Sequence, residues 1–365
     1  MTNAPAPAPV PSSAQAIPPL PPVLLPSLTG LRFLAAFLVF GFHLHAGGLF
    51  TGTGAEGVLE VVFGQGATGV GFFFLLSGFV LTWSAREGVP ARVSLRRRAA
   101  KVLPNHLVVW VAVFAGLAWL GGVSVLAGVA GLFLLQAWIP VQSIYFGVNT
   151  PAWSLSCEAA FYAAFSPLLA LVDRVPRRRL RVLAVVLMGS VVLVPVLALP
   201  LPAGLEYWFV YVFPVTRALE FVLGIVLARL VRAGLWPRLR LWQAGALAAA
   251  GYVASGHLPG TFGYVAGTVV PLALLIPAAA MADITGARSP WRNRVAVFLG
   301  ELSFAFYLVH QAVMRVAEGR HGVGLPTAIG ISVALLVGSL VPAWLLHRLV
   351  ERPAQRLLLR PRAPA

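Results

Sequence analysis

Six ionisable residues stand inside long apolar runs of this chain: Arg32, His43, Glu158, Arg217, Glu220 and His310. A charge at membrane depth is costly and commonly marks a pathway or a reaction site. His43 follows Arg32 by eleven residues. At 100° per residue it returns to nearly the same helix face, about 16 Å further along the axis. His45 faces away. A neutral imidazole offers one nitrogen that can take a proton from a hydroxyl, so His43 is a candidate general base; its structural alternative is a helix–helix hydrogen bond. Glu158, in WSLSCEAAFY (153–162), is placed to fix and balance such an imidazole. His310 ends ELSFAFYLVH (301–310). Counted from the expected outer surface, His43, Glu158 and His310 fall at similar depth, which predicts one reaction centre near that side.

A second group of residues reads as anion-binding. In SLRRRAAKVLP (94–104), Arg97 and Arg98 are followed by Lys101, one helical turn beyond Arg98 and just before an apolar run. That spacing suits phosphate groups at the mouth of a bundle. Ser77, in GVGFFFLLSGFVLT (69–82), is a neutral donor on a glycine-rich helix face. Trp153 and Tyr162 belong either to an interfacial aromatic belt or to an acceptor cleft. Arg217 and Glu220, at i and i+3, form either a structural ion pair or one wall of a polar tunnel. Cys157 is the sole cysteine, so an intramolecular disulfide and a cysteine metal cluster are both excluded. Apart from His43 and His45, the histidines form no close ligand pair, and no metal site is expected.

The elements that position these groups follow from composition. Apolar residues make up 59% of the 365 and charged ones only 10%; mean hydropathy is +0.86. The expected fold is therefore an all-α, polytopic membrane bundle. The net charge of +16 does not imply nucleic acid, because 23 of the 27 basic residues fall in five clusters between apolar segments. Such clustering obeys the positive-inside rule and gives an orientation. Eleven apolar segments are visible. The arginine clusters at 86–101 and 174–181 must share one side, so the segment at 124–138 has to begin and end outside. It is also shorter than the ~20 residues a crossing helix needs. About ten crossings are expected, with 124–138 re-entrant or on the surface and both termini cytoplasmic. Residues 1–26 read as a disordered Pro/Ala-rich tail, 27–350 as the membrane domain and 351–365 as a basic tail.

The ordered pieces TGLRFLAAFLVFGFH (29–43), GVGFFFLLSGFVLT (69–82), RRRAAKVLP (96–104), PAWSLSCEAAFY (151–162), TRALEFVLGI (216–225), LGELSFAFYLVH (299–310) and VERP (350–353) strongly resemble the membrane acyltransferase 3 family, the integral-membrane O-acyltransferases. The resemblance implies transfer of an acyl group, commonly acetyl, from cytoplasmic acyl-coenzyme A to a hydroxyl of a glycan, or of a glycosylated or polyketide product. It implies a catalytic role for His43 with Arg32 as its basic companion. The donor falls to Arg98 and Lys101, where lysine stands in place of the usual arginine and lacks its bidentate fork. The compact form, with the LPSLTGLR opening, looks most like members that acylate secreted small molecules such as macrolides.

From these residues the expected mechanism places coenzyme A phosphates at Arg98, Lys101, the adjoining Arg97 and Arg32. The pantetheine arm threads the bundle, and His43 activates the acceptor hydroxyl with help from Glu158 and His310. Ser77 stands beside the donor as an oxyanion donor, while Trp153, Tyr162 and Arg217 face the acceptor. Membrane lipid is the remaining expected partner, and the cell membrane the expected location. Two rivals remain at this stage: acylation of a cell-envelope polysaccharide, and a transporter or flippase without covalent chemistry.

Overall fold

The computed structural model describes residues 24–86 and 88–359, all of whose regular structure is helical. Most of the expected N-terminal tail and the last six residues of the C-terminal tail lie outside that range. Ten principal helices follow one another: α1 (Pro26–Ala46), α2 (Gly69–Ser84), α3 (Ala91–Trp119), α4 (Trp153–Asp173), α5 (Leu180–Ala198), α6 (Pro214–Arg232), α7 (Leu241–Ser255), α8 (Phe262–Ile284), α9 (Arg294–Met314) and α10 (Leu325–Leu346). A π turn at His347–Glu351 then leads into a last helix, Arg352–Leu358. Nine of the described helical stretches are long and apolar enough to cross a membrane. The exception is α7, which at 15 residues is short. It packs antiparallel on α8, with Gly251 over Pro271 and Gly267 over Ser255. Among the described residues the count of qualifying stretches is therefore nine, one short of the roughly ten expected, because α7 falls below the length that a crossing helix needs.

Burial divides the helices into two groups. Helices α3, α5 and α10 carry rows of exposed Leu and Val, such as Val182, Val185, Val186 and Leu193 on α5. An apolar outer face is what a lipid-facing helix requires. The centre is built by α1, α2, α6, α8 and α9. There α2 and α6 lie parallel and very close, because a Cβ on Gly78 would collide with the Phe221 carbonyl and one on Gly224 with the Leu75 carbonyl. Helix α9 likewise runs parallel to α1. Thr29 lies against Gly300, Phe33 and Phe40 against Phe306, and His43 against His310.

The start of α1 is fixed from outside its own sequence. Pro26 opens the helix and Leu25 gives it no side-chain cap. Asp283, at the end of α8, caps it instead, accepting the Ser27 backbone N–H at 2.9 Å and its hydroxyl at 2.6 Å. A carboxylate at a helix N-terminus is favourable by hydrogen bonding and by dipole. This clamp sets the height of Arg32 and His43.

The segment before α4 folds into the bundle. Residues 125–132 form only an eight-residue helix, followed by a tight turn at Gln136–Trp138. Ser156 donates to the Leu134 carbonyl, Gln136 to the Ala152 carbonyl and Trp208 to the Ala137 carbonyl. Residues 151–157 are consequently all buried. Helix α4 therefore begins inside the bundle and not at its surface, and counting from its first residue misplaces Glu158.

Candidate active site

Helices α1 and α9 bring His43 and His310 together. His310 Nε2 lies 3.1 Å from His43 Nδ1. Carbonyl oxygens assign the tautomers, since they can only accept. His310 Nδ1 is 2.7 Å from the Tyr307 carbonyl and must carry a hydrogen, so its Nε2 presents a lone pair. His43 Nδ1 is 3.0 Å from the Val39 carbonyl, so it too carries a hydrogen, shared with His310. The lone pair on His43 Nε2 is left without a protein partner among the described residues. His310 is fully buried while His43 is only half-buried. One imidazole is thus enclosed and held at both nitrogens, and the other keeps one nitrogen free to accept a hydrogen.

Glu158 does not join this pair. Its oxygens accept from Ser77 at 3.0 Å and from Tyr162 at 2.7 Å, side chains held by α2 and by the next turn of α4. The three residues line a narrow cavity of about 120 Å³ with Arg32, Arg98 and Lys101. The carboxylate expected beside the histidine therefore stands among the cations, because α4 starts inside the bundle. The site has two levels, one basic and one imidazole.

Tyr307 and Ser154 bridge the levels. Their hydroxyls are 3.0 Å apart and both lie within 3.2 Å of the Pro151 carbonyl. Both side chains line the basic cavity. Tyr307 is one turn before His310, and its ring centroid is 5.8 Å from the imidazole; Ser154 is one turn before Glu158. Sequence reading passed over both, although their spacing from the singled-out residues was available as a signal. On the far side of the basic cavity, a second pocket of about 260 Å³ is lined by Arg86, Arg97, Ser94 and Asp173, and it shares Arg98 with the first.

The structure leaves two of the expected residues, Arg217 and Trp153, away from both levels. Arg217 is 1% exposed, paired with Glu220 at 3.0 Å and covered by the rings of Phe74 and Tyr211 at 5.2 and 5.3 Å. Trp153 is buried between Phe74 and Tyr211, which rules out a place in an interfacial belt. Neither lines the cavities just described. Cys157 is fully buried, its Sγ 3.3 Å from the Val212 carbonyl.

Behind the basic cavity lies a buried polar cluster that the VERP motif builds. Glu351 accepts from Asn105 at 3.1 Å and from Gln355 at 3.1 Å, and lies 3.2 Å from His347 Nδ1. Asn105 is one turn beyond Lys101 on α3. The π turn at 347–351 rotates this carboxylate inward, and only the structure shows that rotation.

Comparison with known proteins agrees with the ordered motifs. The acyltransferase-domain family profile matches residues 25–348. The chain is 41% identical to Acyltransferase MdmB of Streptomyces mycarofaciens, over 95% of this chain and 96% of that protein. It is 30% identical to Exopolysaccharide production protein ExoZ of Rhizobium meliloti (strain 1021), over 80% and 90%. It is 27% identical to Nodulation protein 10 of Rhizobium leguminosarum bv. viciae, over 90% and 92%. No solved structure matches the chain. With the motifs in order and nearly its whole length covered, this helical-bundle chain belongs to the membrane acyltransferase 3 family.

Proposed function

We propose that this acyltransferase moves an acyl group, acetyl in the first instance, from acyl-coenzyme A to a hydroxyl of a macrolide-like small molecule, with His43 as general base. The observation that supports this best is the free Nε2 of His43, whose opposite nitrogen is held by Val39 and His310. The acceptor hydroxyl gives its proton to Nε2 as its oxygen attacks the thioester carbonyl. The imidazolium formed has its Nδ1–H directed at the lone pair of His310, which plays the supporting part that a carboxylate plays in a serine-hydrolase triad. Collapse of the tetrahedral intermediate breaks the C–S bond. The proton on His43 then leaves with the coenzyme A thiolate, so that ester and free thiol are the products. His310 does not touch the substrate and is a positioning residue.

The donor fits the basic level. A polyanionic nucleotide needs a cationic mouth, and Arg86, Arg97 and Arg98 line the outer of the two pockets. A thin pantetheine arm needs a narrow passage, which the cavity walled by Arg32, Lys101, Ser77, Tyr162 and Tyr307 provides. Glu158 and Glu351 keep the cations from repelling one another while the site is empty, and Ser77 is reserved for the donor arm. The cationic mouth faces the cytoplasm of the cell membrane, with both termini on that side, in keeping with the clustered arginines.

The test is a transfer assay with radiolabelled acetyl-coenzyme A, purified protein in detergent and a hydroxylated macrolide, followed by chromatography of the product. His43→Ala should lower turnover at least ~100-fold with unchanged elution on size exclusion. Wild-type turnover in that variant would sink the reading. A glycan acceptor is the second reading, favoured by the relative named for exopolysaccharide production; label appearing only in an oligosaccharide acceptor would select it.

A further inference from the structure

A long groove opens about a third of a turn around α1 from the face that carries Arg32 and His43, and the mechanism proposed above assigns it no part. It encloses about 1190 Å³ between α1 and α7, with α8 as its floor. Leu31, Leu34 and Leu38 of α1 face Ala248 of α7 across Leu272 and Ala278 of α8. Helix α7 rests on α8 and stands off from α1. One end is closed where the Tyr252 hydroxyl donates to the Val62 carbonyl at 2.8 Å. The rim at the other end carries Arg238, Arg240 and Arg288, together with Trp236, Trp242 and Trp291.

Three properties define what fills it. An empty volume of that size would forfeit dispersion contacts along three helices, and an apolar wall gives water few partners, so the occupant is hydrocarbon. The lining of α8 runs from Thr268 to Thr285, about 25 Å by helical rise, which is the length of an extended fatty-acyl chain with its glycerol end. The three guanidinium groups are exposed, and the ion pairs among the described residues all lie elsewhere. Their charge calls for an anion at the membrane–water boundary, the level at which tryptophan side chains also collect.

We propose that this groove binds one anionic phospholipid, with its acyl chains along α1, α7 and α8 and its phosphate among Arg238, Arg240 and Arg288. Such a lipid would complete the packing of α7, whose short length leaves it dependent on a neighbour.

The test is native mass spectrometry of the delipidated full chain in detergent, titrated separately with dioleoylphosphatidylglycerol and dioleoylphosphatidylcholine. The first phosphatidylglycerol should bind at least about tenfold more tightly than phosphatidylcholine. Exchanging Arg238, Arg240 and Arg288 together for Gln should abolish that preference. Exchanging Arg177, Arg178 and Arg179, which lie outside the groove, should leave it intact. Ala248→Trp, which fills the trough without touching the arginines, should lower binding of both lipids. Equal affinity for the two lipids, or a preference that survives the groove triple variant, would overturn the assignment. So would displacement of the lipid by a hydroxylated macrolide, which would make the groove an acceptor entrance.

Discussion

His310 offers the sharpest test of the imidazole pair. Leucine at this position keeps the side chain apolar and close in volume in a fully buried site, but removes the acceptor 3.1 Å from His43 Nδ1. The Val39 carbonyl, at 3.0 Å, still holds that hydrogen, so His43 keeps its tautomer and its free Nε2. What is lost is one hydrogen bond to the imidazolium that forms during transfer. A hydrogen bond to a charged group contributes about 1.5–3 kcal/mol, and ~1.4 kcal/mol is a factor of ten. His310→Leu should therefore lower kcat by about 10- to 150-fold. KM for acyl-coenzyme A should stay within about twofold, since the donor cavity is untouched; at ~1.4 kcal/mol per factor of ten that is only a few tenths of a kcal/mol. His310→Gln, whose amide oxygen can accept, should recover part of the loss, which a merely structural role for the ring would not predict. The assay is steady-state thiol release, run on protein shown to be monodisperse. A folded His310→Leu enzyme with wild-type kcat, or a loss confined to KM, would refute the relay.

Replacing Arg98 and Lys101 together with Gln should raise the calorimetric Kd for acyl-coenzyme A by on the order of 100-fold or more, the worth of two charge-assisted phosphate contacts, with acceptor affinity unchanged; a normal Kd would move the phosphates elsewhere. Gly78→Ala should lower the melting temperature in detergent, because the added methyl meets the Phe221 carbonyl and overpacking costs about 1–3 kcal/mol. A rise, as expected from alanine's helix propensity alone, would mean that α2 and α6 do not pack this closely. Single cysteines at Gly122 and Val141 should react with an impermeant maleimide from the same side of the membrane, opposite the arginine-bearing loops; labelling from opposite sides would make the 124–138 segment a crossing.

The bundle was legible because composition and arginine clustering act over whole segments and tolerate local error. The shared face of Arg32 and His43 was legible because both belong to one regular helix. The depth of Glu158 was not, since it depends on where α4 starts, and a short helix and turns at 125–152 set that point through hydrogen bonds such as Ser156 to Leu134. The contact between His43 and His310 joins positions 267 apart and rests on Gly300 admitting Thr29, which no local pattern shows. Arg217 and Glu220 were readable as an i,i+3 pair, and the structure shows that ion pair buried, with Arg217 covered by Phe74 and Tyr211, which no local pattern could tell.

Placing the carboxylate with the cations, and a neutral ring with the base, has a physical logic inside a membrane. An Asp or Glu beside His43 would stay ionised only by drawing a permanent charge pair into low dielectric, and separating such a pair from water costs several kcal/mol per ion. Two neutral imidazoles avoid that cost in the resting state. In the proposed mechanism charge develops on His43 only as the acceptor proton arrives, and the His310 lone pair already points at the spot. The formal charges that the proposed polyanionic donor would meet are held at the other level, where Glu158 and Glu351 lie close to Arg32 and Lys101. Tyr307 and Ser154 bridge the two levels with hydroxyls that are polar but uncharged. Exchanging His310 for Asp tests this arrangement directly: if burial governs the choice of partner, the variant should be less active than His310→Gln despite its better match to a serine-hydrolase triad, and a more active Asp variant would show that the basic level already screens the imidazole pair.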